Sequence, residues 1–248
     1  LLGVLAGSLL AAASVPAAAE DAEVGVQRAR PALGLFSSLP LYWGEAGQLS
    51  DLLGPEAPLS WARQAIERSY RLKPLDLLDE QRIAETERLL IAQPRILGPS
   101  ENLALDQWVR RGGRLLLFAD ALFTGESRFG VGDPRRPQDV ALLSPILARW
   151  GLELRFDESQ PAGERAVELA PDIALPVDLA GQFGLLSSQE GDMCLVSADG
   201  LVAQCAIGAG QAVLVADAAL LEDRPPATAE RPAAALAYLL ALAFSDQG

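Results

Sequence analysis

Any chemistry done by this 248-residue chain is done without histidine. Cys–His and Ser–His–Asp catalysis are therefore excluded on residue type alone. What remains are carboxylates, and two of them stand out. Asp120 and Asp217 each end an apolar run inside an Ala-Asp-Ala triplet, in GGRLLLFADALF (112–123) and GAGQAVLVADAALL (208–221). Two carboxylates brought together could hold calcium or magnesium, or act as an acid/base pair. Each could equally cap the turn that follows it, and that reading is favoured for both. Ser37 and Ser38 follow the apolar run 32–36, and Gln93 follows the run 89–92. If those runs are parallel strands, Ser37, Ser38, Gln93, Asp120 and Asp217 gather along one edge. Ligands bind at that edge in open α/β sheets. Arg135 and Arg136 share a loop with Asp133 and Asp139. They could grip a carboxylate or phosphate bidentately, and a local ion-pair cluster that orders the loop is the preferred reading. Gly208-Ala209-Gly210 precedes a strand rather than a helix, so it is no phosphate loop. No cofactor and no metal centre is expected, since two cysteines without histidine make a poor ligand set.

The elements that must position these residues are read best over 88–122. An apolar run at 89–92 ends in Gln93-Pro94. Pro99-Ser100 opens a helix with Ser100 as its N-cap, and Leu105, Trp108 and Val109 form its apolar face. Gly112-Gly113 stops it, and a second apolar run, 115–119, leads to Asp120. A helix between two fully apolar strands is a βαβ crossover, hence a parallel sheet covered on both faces. Around it the pattern predicts a strand at 32–36 and a long loop at 39–58 carrying Tyr42 and Trp43. A helix at 61–70 capped by Ser60, a strand at 70–75 and a polar link or short helix at 77–87 follow. Next come a loop at 123–138 and a helix from Asp139 to about Trp150, kinked by Pro145. Strands are read at 152–156 and 165–169, and at 211–216, with a last helix at 231–244. The stretch 177–186 gives no clear signal. The fold class is α/β, a mostly parallel sheet with helices on both faces plus a C-terminal β-hairpin.

That hairpin is set by CLVSADGLVAQC (194–205). Asp199-Gly200 is a two-residue turn between apolar strands. Counting outward from it places Cys194 opposite Cys205, within disulfide reach. A disulfide needs an oxidising compartment. Residues 1–19 supply a route there. They are apolar, broken by Pro16 and end in Ala17-Ala18-Ala19, a small-residue cleavage site before Glu20-Asp21. The expectation is a cleaved signal peptide at 1–19, a loose segment at 20–30 and a single α/β domain at 31–248, periplasmic or secreted. The run 233–244 is too short to span a bilayer. The net charge of −13 argues against nucleic acid and anionic membranes as partners.

On the residues of 88–122, the chain resembles the class I glutamine amidotransferase-like fold. There a strand, a helix, a Gly-Gly turn and a second strand lead to a cysteine nucleophile on a sharp elbow. Here Phe118-Ala119-Asp120-Ala121 stands in that place, with Ala119 or Asp120 at the nucleophile position. A closer similarity is to non-catalytic relatives, the auxiliary components of gliding-motility type ABC transporters and the related intraflagellar-transport-type domain. It is carried by LLIAQP, ENLALDQWVRRGGRLLLFAD and GAGQAVLVADAALL, over about 31–156 and 207–222. The resemblance implies a non-catalytic exported binding or accessory domain of an envelope transport or assembly system, partnered by an ABC transporter or another envelope protein. Its ligand, small molecule or polymer, is not named by the residues. Two alternatives stand beside it: a carboxylate-dependent hydrolase using Asp120 and Asp217, and a scaffold that binds only proteins.

Overall fold

Leu89, Leu90, Ile91 and Ala92 have no exposed surface, and neither do Leu115, Leu116 and Phe118. Strands buried on both faces need continuous apolar runs, which is why these segments do not alternate. They belong to one seven-stranded sheet in a computed structural model that describes residue 3 and residues 29–45, 59–187, 192–223 and 230–245. The parallel strands are β1 (Ala32–Ser37), β2 (Arg71–Pro74), β3 (Arg88–Ala92), β4 (Arg114–Phe118) and β11 (Gly210–Val215). Beyond β11 the sheet continues antiparallel through β10 (Val202–Ile207) and β9 (Met193–Ser197). The order is β2-β1-β3-β4-β11-β10-β9. Its parallel part has the flavodoxin-like order, with the chain reversing direction across the sheet between β1 and β3. The expected fold class is the observed one.

Helices α1 (Trp61–Ile66), α2 (Glu80–Ile83), α3 (Pro99–Arg110), α4 (Ser144–Arg149) and α5 (Glu230–Phe244) cover the sheet. α1 packs on α5, while α2 and α4 both pack on α3. Two small antiparallel pairs stand apart from the main sheet: β5 (Leu152–Arg155) with β8 (Gln182–Leu185), and β6 (Arg165–Ala170) with β7 (Ile173–Val177). Among the described residues no helix is long and apolar enough to cross a membrane. The expected leader over 1–19, apart from residue 3, and residues 20–28 lie outside the described residues, as do residues 46–58 of the loop expected at 39–58.

Three expectations need correction. Ser100 is not the N-cap of α3: Gly98 is, Pro99 starts the helix, and the Glu101 carboxylate accepts from Gly98 N at 2.9 Å. Proline at the first helical position moves the cap one residue upstream of it. The helix expected from Asp139 is only Ser144–Arg149, because Pro145 begins a helix rather than kinking one. The strand expected at 152–156 is β5, which leaves the main sheet to pair with β8, inside the stretch 177–186 that carries no clear pattern. Gly112, at φ 109°, does end α3 as expected. A Cβ on Gly210 would lie 1.9 Å from the Val109 carbonyl oxygen, so the turn into β11 sits on the end of α3 only with glycine there.

The hairpin register is the one counted from the turn. Leu201 N donates to Ala198 O at 3.0 Å, Asp199 and Gly200 both have positive φ (53° and 92°), and Cys194 faces Cys205. The two cysteines are bonded, eleven residues apart.

Candidate functional site

The two echoing segments are neighbours. β4 and β11 pair in parallel with Phe118 opposite Val215, so Asp120 and Asp217 leave the same edge of adjacent interior strands. Ser37 and Ser38 reach that edge from β1 and Gln93 reaches it from β3, because all four strands run the same way. The sequence expectation of one shared rim is thus the geometry seen.

At the centre of the rim the polar groups bond to one another. The Ser38 hydroxyl donates to the Gln93 carbonyl and accepts from Gln138 N at 3.0 Å. Gln93 Nε2 donates to Gln138 O at 2.8 Å, and Gln93 Oε1 accepts from Asp120 N at 2.8 Å. Asp120 Oδ1 accepts from Leu122 N (2.9 Å) and Oδ2 from Ala218 N (3.2 Å). Asp217 Oδ1 accepts from Ala219 N (2.7 Å) and Oδ2 from Asp178 N (3.0 Å). Both aspartates therefore do cap their own turns, and each also ties down a second loop. Gln93, Asp120 and Asp217 are 0%, 1% and 1% exposed.

Burial raises both carboxyl groups. Asp120 is pushed up to about 6, chiefly by desolvation and further by the charges of Glu222 and Asp178, against the hydrogen bonds from Leu122 N and Ala218 N that favour its charged form. Asp217 is raised well above the usual carboxylate range by burial and by Asp120 beside it. Such a pair shares protons as one unit. Among the described residues, the two cavities along this rim are lined by others than Gln93, Asp120 and Asp217. Among the described residues no group of three or more acidic or sulfur ligands is arranged to hold a metal ion.

Next to this sealed centre the rim is open. Ser37, Ser38, Tyr42, Trp43, Phe129 and Arg135 help to line a cavity of about 660 Å³ over the ends of β1 and β2. Arg63 holds its wall: the guanidinium lies 4.0 Å from the centre of the Tyr42 ring and donates to Tyr42 O at 2.6 Å. Trp43 packs edge-on against Tyr42 and is 63% exposed. Arg135 stacks over Phe129 at 4.1 Å and is paired with Asp133, while Arg136 bonds Asp139 and the Phe129 carbonyl. The arginine pair is thus the loop-ordering cluster that the sequence favoured; Arg135 lines the cavity, and Arg136 acts from behind it.

The elbow expected at Ala119-Asp120 is not strained. Positive φ on this rim is found instead at Gln93 (42°), just before Pro94, at Leu179 (50°), next to Asp178, and at Gly44 (66°) in the cavity wall. Phe129 and Asp76, both in the cavity wall, gave no signal in the sequence. Also unforeseen is the buried carboxylate of Asp106, which accepts from Arg110, Arg149 and Trp150 and joins α3 to α4. Its spacing of four from Arg110 was the available clue.

A family model described as an ABC-type uncharacterized transport system matches residues 30–171. No curated protein matches. Among solved structures, an exo-β-1,4-mannosidase, Op5Man5 from Opitutaceae bacterium strain TAV5, is similar with a TM-score of 0.52 at 17% identity. The likeness covers 89% of this chain but 37% of that one, so this chain spans little more than a third of the enzyme. The mmIFT52 N-terminal domain is similar with a TM-score of 0.53 at 11% identity, over 88% of this chain and 99% of that domain. At these identities the likenesses are of fold alone.

Proposed function

Because the chain belongs to the auxiliary family of the ABC-type uncharacterized transport systems, we propose that it is a non-catalytic accessory domain that binds through the open part of its carboxyl rim. One observation carries this reading. The acids that a hydrolase would need are committed to backbone N–H groups in the sealed centre, whereas the neighbouring cavity offers aromatic and polar side chains to a visitor. A concave, mostly apolar wall with a few fixed polar groups suits binding. The Cys194–Cys205 bond and the leader-like residues 1–19 support a place outside the cytoplasm. The partner is a component of the transport system, and no nucleic acid is involved.

The test is affinity capture from detergent-solubilised membranes of the producing cell, with the tagged chain as bait. The expected result is co-purification of an ABC-type permease or ATPase. Turnover of an amide, ester or glycoside by the purified chain, lost in Asp120→Ala, would overturn the non-catalytic reading.

A further inference from the structure

Four residues, 178–181, cross the sealed centre of the rim as a strap between β7 and β8. Its fastenings are backbone N–H groups. Asp178 N donates to Asp217 Oδ2 at 3.0 Å, and Gly181 N donates to Ala216 O at 2.7 Å. Between these two fastenings Leu179 stands at φ 50°, a left-handed conformation that is costly for any residue with a Cβ. Gly181 is pressed against the strand ends: a Cβ there would lie 3.0 Å from Ala121 Cβ and 3.2 Å from Ala216 O. The strap is thus a strained segment held down by bonds to the end of β11.

One of those acceptors belongs to a pair of like groups. Asp217 and Asp120 leave adjacent parallel strands side by side and are both 1% exposed. The charged groups that act on them from the neighbouring elements are Asp178, on the strap itself, and Glu222, after the turn 219–221. Both are acidic. The four carboxylate oxygens of the pair are met by the neutral N–H groups of Leu122, Ala218, Ala219 and Asp178. One proton on the pair removes the repulsion. Its loss sets two negative charges next to each other in a dry site with further acids beside them. The Asp178 side chain faces outward from this centre, where it accepts from Gly163 N at 3.0 Å and from the Thr124 hydroxyl at 3.1 Å.

We infer that the strap 178–181 is a proton-controlled latch, shut while the Asp120–Asp217 pair keeps a proton and lifted about Leu179 when the pair loses it. Lifting lets water reach both carboxylates and relaxes the left-handed leucine. The open form therefore holds the proton less tightly than the shut form. By linkage, opening becomes easier as pH rises from the ordinary carboxylate range through the raised one, which is about 6 for Asp120. The flanking strands stay in place, because β7 packs on α5 and β8 is paired with β5. Movement is confined to the four residues between them. An open latch extends the exposed part of the rim to the ends of β4 and β11 and bares two charged acids there. This inference concerns the conformation of the rim and stands whatever the rim binds.

Amide hydrogen exchange of the full chain, resolved by NMR between about pH 4 and about pH 7 and corrected for intrinsic rates, tests it. The amides of Asp178 and Gly181 report the strap. Those of Leu116 and Leu214, inside β4 and β11, report unfolding of the whole domain. The strap amides should be at least tenfold less protected than Leu116 and Leu214 at the upper pH. Their exchange should be unchanged by about 1 M urea, as local opening exposes little surface. Their protection should also fall at least tenfold from the lower pH to the upper, since each proton released on opening is worth a factor of ten per pH unit. Asp217→Asn takes one charge from the pair and should remove that pH step. Gly181→Ala drives a methyl group against Ala121 and should lower strap protection at every pH, with the step lost. Strap amides that follow Leu116 in their response to urea overturn the inference. So does strap protection that is constant across the pH range, or a step undiminished in Asp217→Asn.

Discussion

Two halves of one strand edge behave differently. At the ends of β3, β4 and β11 the polar residues Gln93, Asp120 and Asp217 are sealed and bonded to each other's loops. At the ends of β1 and β2, along the same edge, Ser37 and Ser38 are half-buried under an open cavity. What separates them is the segment after β4. It folds back onto the centre, with Ala141 N bonded to Asp120 O at 2.9 Å and Gln138 clamped by Ser38 and Gln93, whereas over β1 and β2 its Phe129 and Arg135 form a wall of the cavity and leave it open. A polar residue at a strand end is therefore not yet a site. Whether the following loop consumes its hydrogen bonds decides between a brace and a binding surface.

The division can be broken at the brace first. Gln93→Ala leaves Asp120 N and Gln138 O buried without partners, and should cost about 3 kcal/mol of stability, seen as a fall in melting temperature of roughly 6–10 °C. Next comes pH. Asp120 titrates at about 6 in the fold against an ordinary 3.8, and Asp217 is shifted the same way. The native state keeps protons that the unfolded chain has released, so stability falls as pH rises through that window. The loss between the two values is on the order of 2–3 kcal/mol for Asp120. Glu101 works in the other direction: paired with Arg95, it is held at about 2 against 4.5, so its contribution disappears as pH falls through that range. Thermal melts should be most stable at mildly acidic pH. An optimum at or above neutrality would mean the buried pair is not raised. Ser38→Ala removes one donor and one acceptor from the boundary between the halves and should cost about 1 kcal/mol by urea unfolding. Trp43→Ala, at a 63% exposed site, should stay within roughly 0.5 kcal/mol of the parent.

The fold was legible where one rule dominated. Continuous apolar runs marked β3, β4 and β11, the glycines at 112–113 ended α3, and Asp199-Gly200 set a register that placed both cysteines correctly. The helix expected from 139 to 150 failed because Leu142 and Leu143 looked periodic, yet proline fixes only where a helix can begin; Leu142 is 52% exposed in the loop. β8 was missed because four residues, Gln182–Leu185, carry too little pattern without their partner β5. At the rim, residue type identified Gln93, Asp120 and Asp217 as neighbours. Their burial depends on loops returning from 45 residues away at Gln93 and 39 at Asp217, and no local pattern encodes that. Asp76 and Phe129 join the cavity for the same reason, being brought there by tertiary packing from separate loops.

The most direct measurement compares partner capture with stability in the same variants. The double change Trp43→Ala with Arg135→Ala alters only the open half, and both side chains are more than half exposed. The account predicts that capture of the transport component falls at least about tenfold while the melting temperature moves by no more than roughly 2 °C. Full capture by that double variant, together with loss of capture in a Ser38→Ala protein that is still folded, would contradict it.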